Sequence, residues 1–213
     1  MIVQTFTFNG FQENSSVVYN AEKDAVIIDP GCYEQHERQA LVDFIADNDL
    51  TVHAVLNTHC HLDHIFGNAF CVEKYSVDLY AHQEELFTLG LAEKSAQLYG
   101  FPGFVPSPTP TVFISDNETL HFGSLTFQVI FAPGHSVGHV AFYNAANELL
   151  IGGDILFKGS FGRTDLPGGS METLKKSIHE RMFTLPENTV VYPGHGPTTT
   201  IGEEKIHNYI WQF

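Results

Sequence analysis

The chain has 213 residues and is 43% hydrophobic, which is enough for a substantial buried core and too apolar for a disordered chain. Ten Lys and Arg against 25 Asp and Glu leave a formal charge of −15, which argues against nucleic acid or an anionic membrane surface as partner. No apolar run approaches the ~20 residues of a membrane helix, and the opening MIVQTFTFNGF lacks the basic and apolar regions of a signal peptide. Cys32, Cys60 and Cys71 are odd in number, unevenly spaced and without a CxxC pair, so reduced thiols and a cytoplasmic location are expected.

In chain order, short strands are predicted at Val3–Phe8, Ser16–Asn20 and Ala25–Asp29, each bounded by turn-forming residues. Apolar residues at helical spacing (Ala40, Leu41, Phe44, Ile45) predict a helix over Gln35–Asp47. A strand at Val52–Leu56, a helix at Ile65–Tyr75 and a strand at Val77–Ala81 follow. This alternation points to an α/β domain. Residues 83–110 differ: a helix near Glu84–Tyr99 runs into a stretch with four of the ten prolines, plus Phe101 and Phe104. That proline density forbids regular structure there. The excursion packs back on the core or walls a pocket. Beyond it come strands at Thr119–Phe122, Leu125–Ala132, Val140–Asn144 and Glu148–Ile151, a helix at Met171–Phe183, a strand at Thr189–Tyr192 and a closing helix at Glu203–Trp211. Strands and helices thus occur twice in the same broad order, as in two packed halves.

The chemistry is concentrated after the strands. Val52–Leu56 is followed by Thr58-His59-Cys60-His61-Leu62-Asp63-His64. In an extended segment, positions i and i+2 face the same way, so His59 and His61 can hold one ion. Asp63 and His64 open the next helix and point elsewhere, which suits a second ion. Three more strands end in Gly followed by one ligand-type residue: Pro133-Gly134-His135, Gly152-Gly153-Asp154 and Pro193-Gly194-His195-Gly196. Glycine permits unusual backbone angles and close approach, and α/β folds assemble their sites at strand ends. Imidazole and carboxylate donors suit zinc, iron or manganese. Cys60 should point away from the ion that its neighbours share. His36, His53, His82, His121, His179 and His207 are read as surface or core residues.

These motifs resemble the metallo-β-lactamase superfamily over nearly the whole chain. Within it, the sequence is most similar to the glyoxalase II (hydroxyacylglutathione hydrolase) group, especially short members without a separate C-terminal helical domain. The residues that narrow the resemblance are Pro133–His139, Gly153–Phe157, Gly162–Asp165 and Gly194–Pro197. The fold it implies is an αββα four-layer sandwich, two mixed sheets flanked by helices, in a single domain over 1–213. It further implies that His59, His61 and His135 bind one metal, that Asp63, His64 and His195 bind the other, and that Asp154 bridges them. The expected cofactor is two divalent ions, zinc foremost. Two such ions roughly 3.5–4 Å apart can share a hydroxide, lowering the pKa of its parent water towards about 7. The implied reaction is attack of that hydroxide on a thioester carbonyl, with Asp63 also orienting the nucleophile and Asp154 holding the pair. A thiolate of pKa near 8.5 leaves with little help, which suits a site without an obvious general acid.

Asp29 and His139 are candidates to orient the ligands from behind. Arg163 falls where glyoxalase II enzymes place a basic substrate contact, and Asp165 where they have an aromatic one. Only 18 residues follow His195, so Tyr99, Phe101 and Phe104 are candidates for the missing wall of a thioester site. Competing readings are a mononuclear iron persulfide dioxygenase using His59, His135 and Asp154 as a facial triad, and a lactonase or β-lactamase on the same residues. A non-catalytic metal module is disfavoured, because structural zinc sites are closed and rich in cysteine.

Overall fold

In the computed structural model, which describes residues 1–213, the most central strands, such as Asp24–Ile28, Val140–Asn144 and Leu149–Gly153, bury both of their faces. The first half runs β1 (Ile2–Phe8), β2 (Glu13–Tyr19), β3 (Asp24–Ile28), α1 (Gln35–Asp47), β4 (Thr51–Leu56), α2 (Leu62–Ile65), α3 (Asn68–Tyr75), β5 (Asp78–His82), α4 (Leu86–Leu89), α5 (Ala92–Tyr99) and β6 (Val112–Ile114). The second runs β7 (Thr119–Phe122), β8 (Leu125–Phe131), β9 (Val140–Asn144), β10 (Leu149–Gly153), β11 (Leu156–Phe157), β12 (Ser160–Phe161), α6 (Met171–Ser177), β13 (Val190–Pro193), β14 (Thr199–Thr200) and α7 (Ile201–His207).

Two six-stranded sheets form, ordered β1-β2-β3-β4-β5-β6 and β14-β13-β10-β9-β8-β7. Both are mixed: β3 through β6 are parallel neighbours, as are β10 and β13, and the remaining pairs are antiparallel. The two-residue side-chain period of a strand sorts the core into layers. Val18, Val26, Ile28, Leu56, Phe127 and Phe142 meet between the sheets. Their strand neighbours Val17, Ile27 and Val55 turn outward onto Leu41, Ile45 and Cys71 of α1 and α3. On the far side Ile130, Ala141 and Leu150 pack on Leu174 of α6, Ile178 just beyond it and Ile201 of α7. The layers are therefore helix, sheet, sheet, helix, as expected. No helix is long and apolar enough to cross a membrane.

Most predicted elements are present, with instructive differences. The helix predicted over Ile65–Tyr75 is two helices, α2 and α3, parted at Gly67. There the N–H of Gly67 donates to Pro30 O at 2.7 Å, and a Cβ would strike Cys32 Sγ. The helix predicted near Glu84–Tyr99 is a 3₁₀ turn (Gln83–Glu85), α4 and α5. The one over Met171–Phe183 ends as a π-helical turn at Ile178–Met182. The predicted closing helix starts earlier, capped by the Thr200 hydroxyl, and breaks at Asn208. Strand β6 and the hairpin β11–β12 were not expected, and the hairpin matters for the site.

Candidate metal centre

Four loops meet at one edge of the two sheets. They leave the C-terminal ends of β4, β8, β10 and β13 and carry His59–His64, His135, Asp154 and His195. Two cross-sheet links draw them together: Val140 N–H donates to Thr58 O at 2.9 Å, and Asn14 N–H donates to Gly194 O at 2.7 Å. The backbone of Glu13 also bridges to His195.

All seven ligand-type residues converge there. Donor atoms of His59, His61 and His135 lie within 4.8 Å of one another, as do those of Asp63, His64 and His195. His61 Nδ1 and His135 Nε2 face each other at 2.8 Å. Asp154 stands between the groups. Its Oδ1 is 3.6 Å from His64 Nε2, and its Oδ2 is 3.5 Å from both His135 Nε2 and His195 Nε2. Asp63 Oδ2 lies 3.2 Å from His195 Nε2.

In His59, His64 and His135 the outward ring nitrogen is tied to an acceptor, which leaves the other nitrogen facing inward. His135 Nδ1–H donates to the Arg163 carbonyl at 2.8 Å. His64 Nδ1–H donates to Asp29 Oδ2 at 3.2 Å. His59 Nδ1–H donates to Thr58 Oγ1 at 3.0 Å, and that hydroxyl donates in turn to Asp29. Asp29 also accepts the N–H of Thr58 at 2.7 Å, from a backbone with φ +49 at the end of β3. Asp tolerates that left-handed conformation better than most residues. His139 acts differently: its Nε2 accepts the N–H of Asp154 at 3.0 Å, and its ring stacks on His59.

Whether these residues fit metal ions can be tested on their unsatisfied atoms. His59 Nε2, His64 Nε2 and Asp154 Oδ1 are buried and have no hydrogen-bond partner. Orphaned buried polar atoms are rare in native folds and demand an explanation. Here they all point into the space between the clusters, and the histidine and aspartate groups fit a dinuclear site. The electrostatics divide the same way. Burial, then the neighbouring His135, pulls His61 down to about 3, and burial lowers His59 and His135 too, so this cluster presents neutral imidazoles. Burial also works against charge on His64, but the carboxylates of Asp63 and Asp154 outweigh it and hold that imidazole well above its ordinary value. Glycine at 194 is a steric requirement, since a Cβ there would meet Asp154 Oδ1 and His64 Cε1.

A cavity of about 650 Å³ opens over His61, Asp63, His135, Asp154 and His195. One wall is the helical part of the excursion, with Leu91, Lys94, Leu98 and Tyr99; the other is the segment holding Phe157, Phe161, Arg163 and Leu166. Phe11 closes one side. Of the three predicted aromatics only Tyr99 lines this cavity. Phe101 and Phe104 are corrected: they turn inward, where Phe101 packs on Phe66, Tyr33 and Phe11, and Phe104 on Phe66. Large apolar rings after a proline-rich turn gain more by burial than by lining a wet pocket. Arg163 reaches the mouth with its guanidinium already held by Asp165 in two 2.7 Å hydrogen bonds. Cys60 points away from the clusters into an apolar group with Leu62, Ile65 and Phe66.

Sequence reasoning missed Glu13, Asn14 and Glu85. Glu13 is fully buried 3.8 Å from His64 Nδ1, and burial pushes its carboxyl well above the usual range. Asn14 donates to Pro193 O and Gly196 O at 3.1 and 2.7 Å, holding the His195 loop. No local pattern marks either residue, because both act across the full length of the chain.

Comparison with known proteins follows this geometry. The family model described as "Metallo-beta-lactamase superfamily" matches residues 8–195. A "Hydroxyacylglutathione hydrolase GloC" of Haemophilus influenzae is 32% identical over 209 residues, covering 98% of this chain and 97% of that one. Among solved structures, "BLEG-1 B3 metallo-beta-lactamase" superposes with a TM-score of 0.90 at 37% identity and covers 100% of both chains. "TTHA1623 in a di-iron-bound form" follows with a TM-score of 0.86 at 37% identity, covering 97% of this chain and 99% of the other.

Proposed function

We propose that this chain, which belongs to the metallo-β-lactamase superfamily and is a metallo-hydrolase of that group, cleaves a thioester of the S-2-hydroxyacyl-thiol type, such as S-lactoylglutathione. The observation that carries the reading is the meeting of two three-residue donor clusters across Asp154 at the floor of an apolar-walled cavity. His59, His61 and His135 would hold one ion, and Asp63, His64 and His195 the other. Zinc is the proposed metal, although the same nitrogen and oxygen donors accept iron or manganese. Held there, two divalent ions would supply positive charge to stabilise a developing oxyanion and to acidify a water.

The protein's own contribution is placement. Asp154 lies between the clusters, with Oδ2 3.5 Å from His135 of one and His195 of the other and Oδ1 3.6 Å from His64, so it would set their separation. Asp63, 3.2 Å from His195 Nε2 and facing the cavity, is placed to accept a hydrogen bond from an incoming water and so orient it. Leu91, Leu98, Phe157 and Phe161 exclude water around the acyl-thiol portion of a substrate. No acidic side chain is needed at the leaving group, because a thiolate departs unprotonated near neutral pH. Similarity to the Haemophilus hydrolase supports the thioester as substrate class.

The test combines elemental analysis of purified protein with hydrolysis of S-lactoylglutathione. Two ions per chain with turnover are expected. One iron per chain, oxygen consumed with glutathione persulfide and no hydrolysis would overturn the reading in favour of a dioxygenase.

A further inference from the structure

Glu85 is a carboxylate in an unusual place. It closes the 3₁₀ turn that opens the excursion and is 1% exposed. Its hydrogen-bond partners are all neutral donors. Oε2 accepts the N–H of Cys60 at 2.7 Å. Oε1 accepts the hydroxyl of Ser136 at 2.6 Å and the N–H of Gly138 at 2.7 Å. A buried charge without a counter-charge is costly and persists only where donors satisfy it fully. These donors belong to two different loops. Cys60 lies between His59 and His61, and Ser136 directly follows His135. Gly138 is independently shaped to the contact, since a Cβ there would strike the backbone N and Cγ of Glu85.

The two loops joined by Glu85 are the two that must meet to assemble the first cluster. The second cluster does not depend on that junction, because His195 arrives from β13 and is held by Asn14. We propose that Glu85 is a positioning residue that sets the spacing of His61 and His135, and so tunes ion affinity at the first cluster without touching an ion or substrate. The inference rests on the reading of the clusters as ion sites.

The experiment is a stepwise Zn²⁺ titration of metal-free full-length protein against a chromophoric chelator. His61→Ala and His195→Ala assign the two binding steps to the two clusters. Glu85→Gln keeps the size of the side chain but sets an amide donor against a buried donor, and should weaken the first-cluster step by about 10–100-fold. The second-cluster step should stay within about threefold, because its ligands lie outside the junction. Ser136→Ala removes one of the three bonds and, as a milder lesion, should shift the same step in the same direction by a smaller factor. Unchanged affinities in a folded variant, or equal losses at both clusters, would overturn the proposal. A native chain that takes up no Zn²⁺ at these residues would instead sink the ion-site reading itself.

Discussion

Asp29 Oδ2 lies 3.2 Å from His64 Nδ1, and through Thr58 the same carboxylate also fixes the ring of His59. One side chain therefore orients a donor in each cluster. Asp29→Ala should weaken binding of both ions by about 10–100-fold, as loss of a partner behind a metal ligand typically does. A two-step metal titration checks this, and loss confined to one step would contradict the shared role. The contrast with Glu85, whose contacts serve a single cluster, is itself diagnostic.

The excursion divides into a wall and an anchor. Tyr99 lines the cavity while Phe101 packs among Phe11, Tyr33 and Phe66. Tyr99→Ala should raise KM for the thioester several-fold and leave Tm nearly unchanged. Phe101→Ala should cost about 3 kcal/mol of stability, the low end for deleting a packed phenylalanine. Steady-state kinetics and thermal melts on both variants separate the roles.

Asp165 occupies the Nε–Nη2 edge of the Arg163 guanidinium, so an anionic substrate has to compete with it there. Asp165→Asn removes that competition. KM for a thioester with a carboxylate-bearing thiol should fall by about two- to fivefold, the scale of one exposed ion pair. A thioester with an uncharged thiol should show no change, which makes the pair of substrates an internal control.

Asp116 receives the Arg181 guanidinium at 2.6 and 3.0 Å and the N–H of Phe131 at 2.9 Å. Burial would raise its carboxyl, but these donors outweigh burial and hold it below its ordinary value. A lowered folded-state pKa contributes stability that is complete above the unfolded pKa of about 3.9 and is lost as pH falls through the folded value. Asp116→Asn should therefore lower Tm at pH 7 by an amount equivalent to about 1 kcal/mol, modest because the pair is partly solvated. The gap between variant and native protein should close as pH drops from about 4 towards 2. Melting curves across that range provide the check.

The donor residues were legible because each follows an apolar strand within a few positions; their meeting at one edge of two sheets was implied by the family resemblance. Layer assignment came from the family resemblance, because Val17–Val18 and Leu149–Leu150–Ile151 are unbroken apolar runs whose alternate residues enter different layers only in the fold. What stayed hidden depends on distant partners. Glu85 reads as an ordinary helical glutamate until Cys60 and Gly138 are brought to it. Gly67 looks tolerable within a helix until Pro30 and Cys32 occupy the space a side chain would need. The hairpin at Leu156–Phe161 has only two residues per strand, too short for any periodic signal.

The hydrogen bonds from Asn14 to Pro193 and Gly196 join residues 179 and 182 positions apart. The Asn14 side-chain carbonyl oxygen finds its donor nearby, in the Thr7 hydroxyl at 3.1 Å, but the acceptors of its amide N–H groups are made only near the end of synthesis. The first cluster can be assembled once His135 has emerged, and the second only after His195. The order of synthesis therefore completes the donor set His59, His61 and His135 before the set Asp63, His64 and His195. A chain ending before residue 195 would hold six of the seven donor residues and lack only His195.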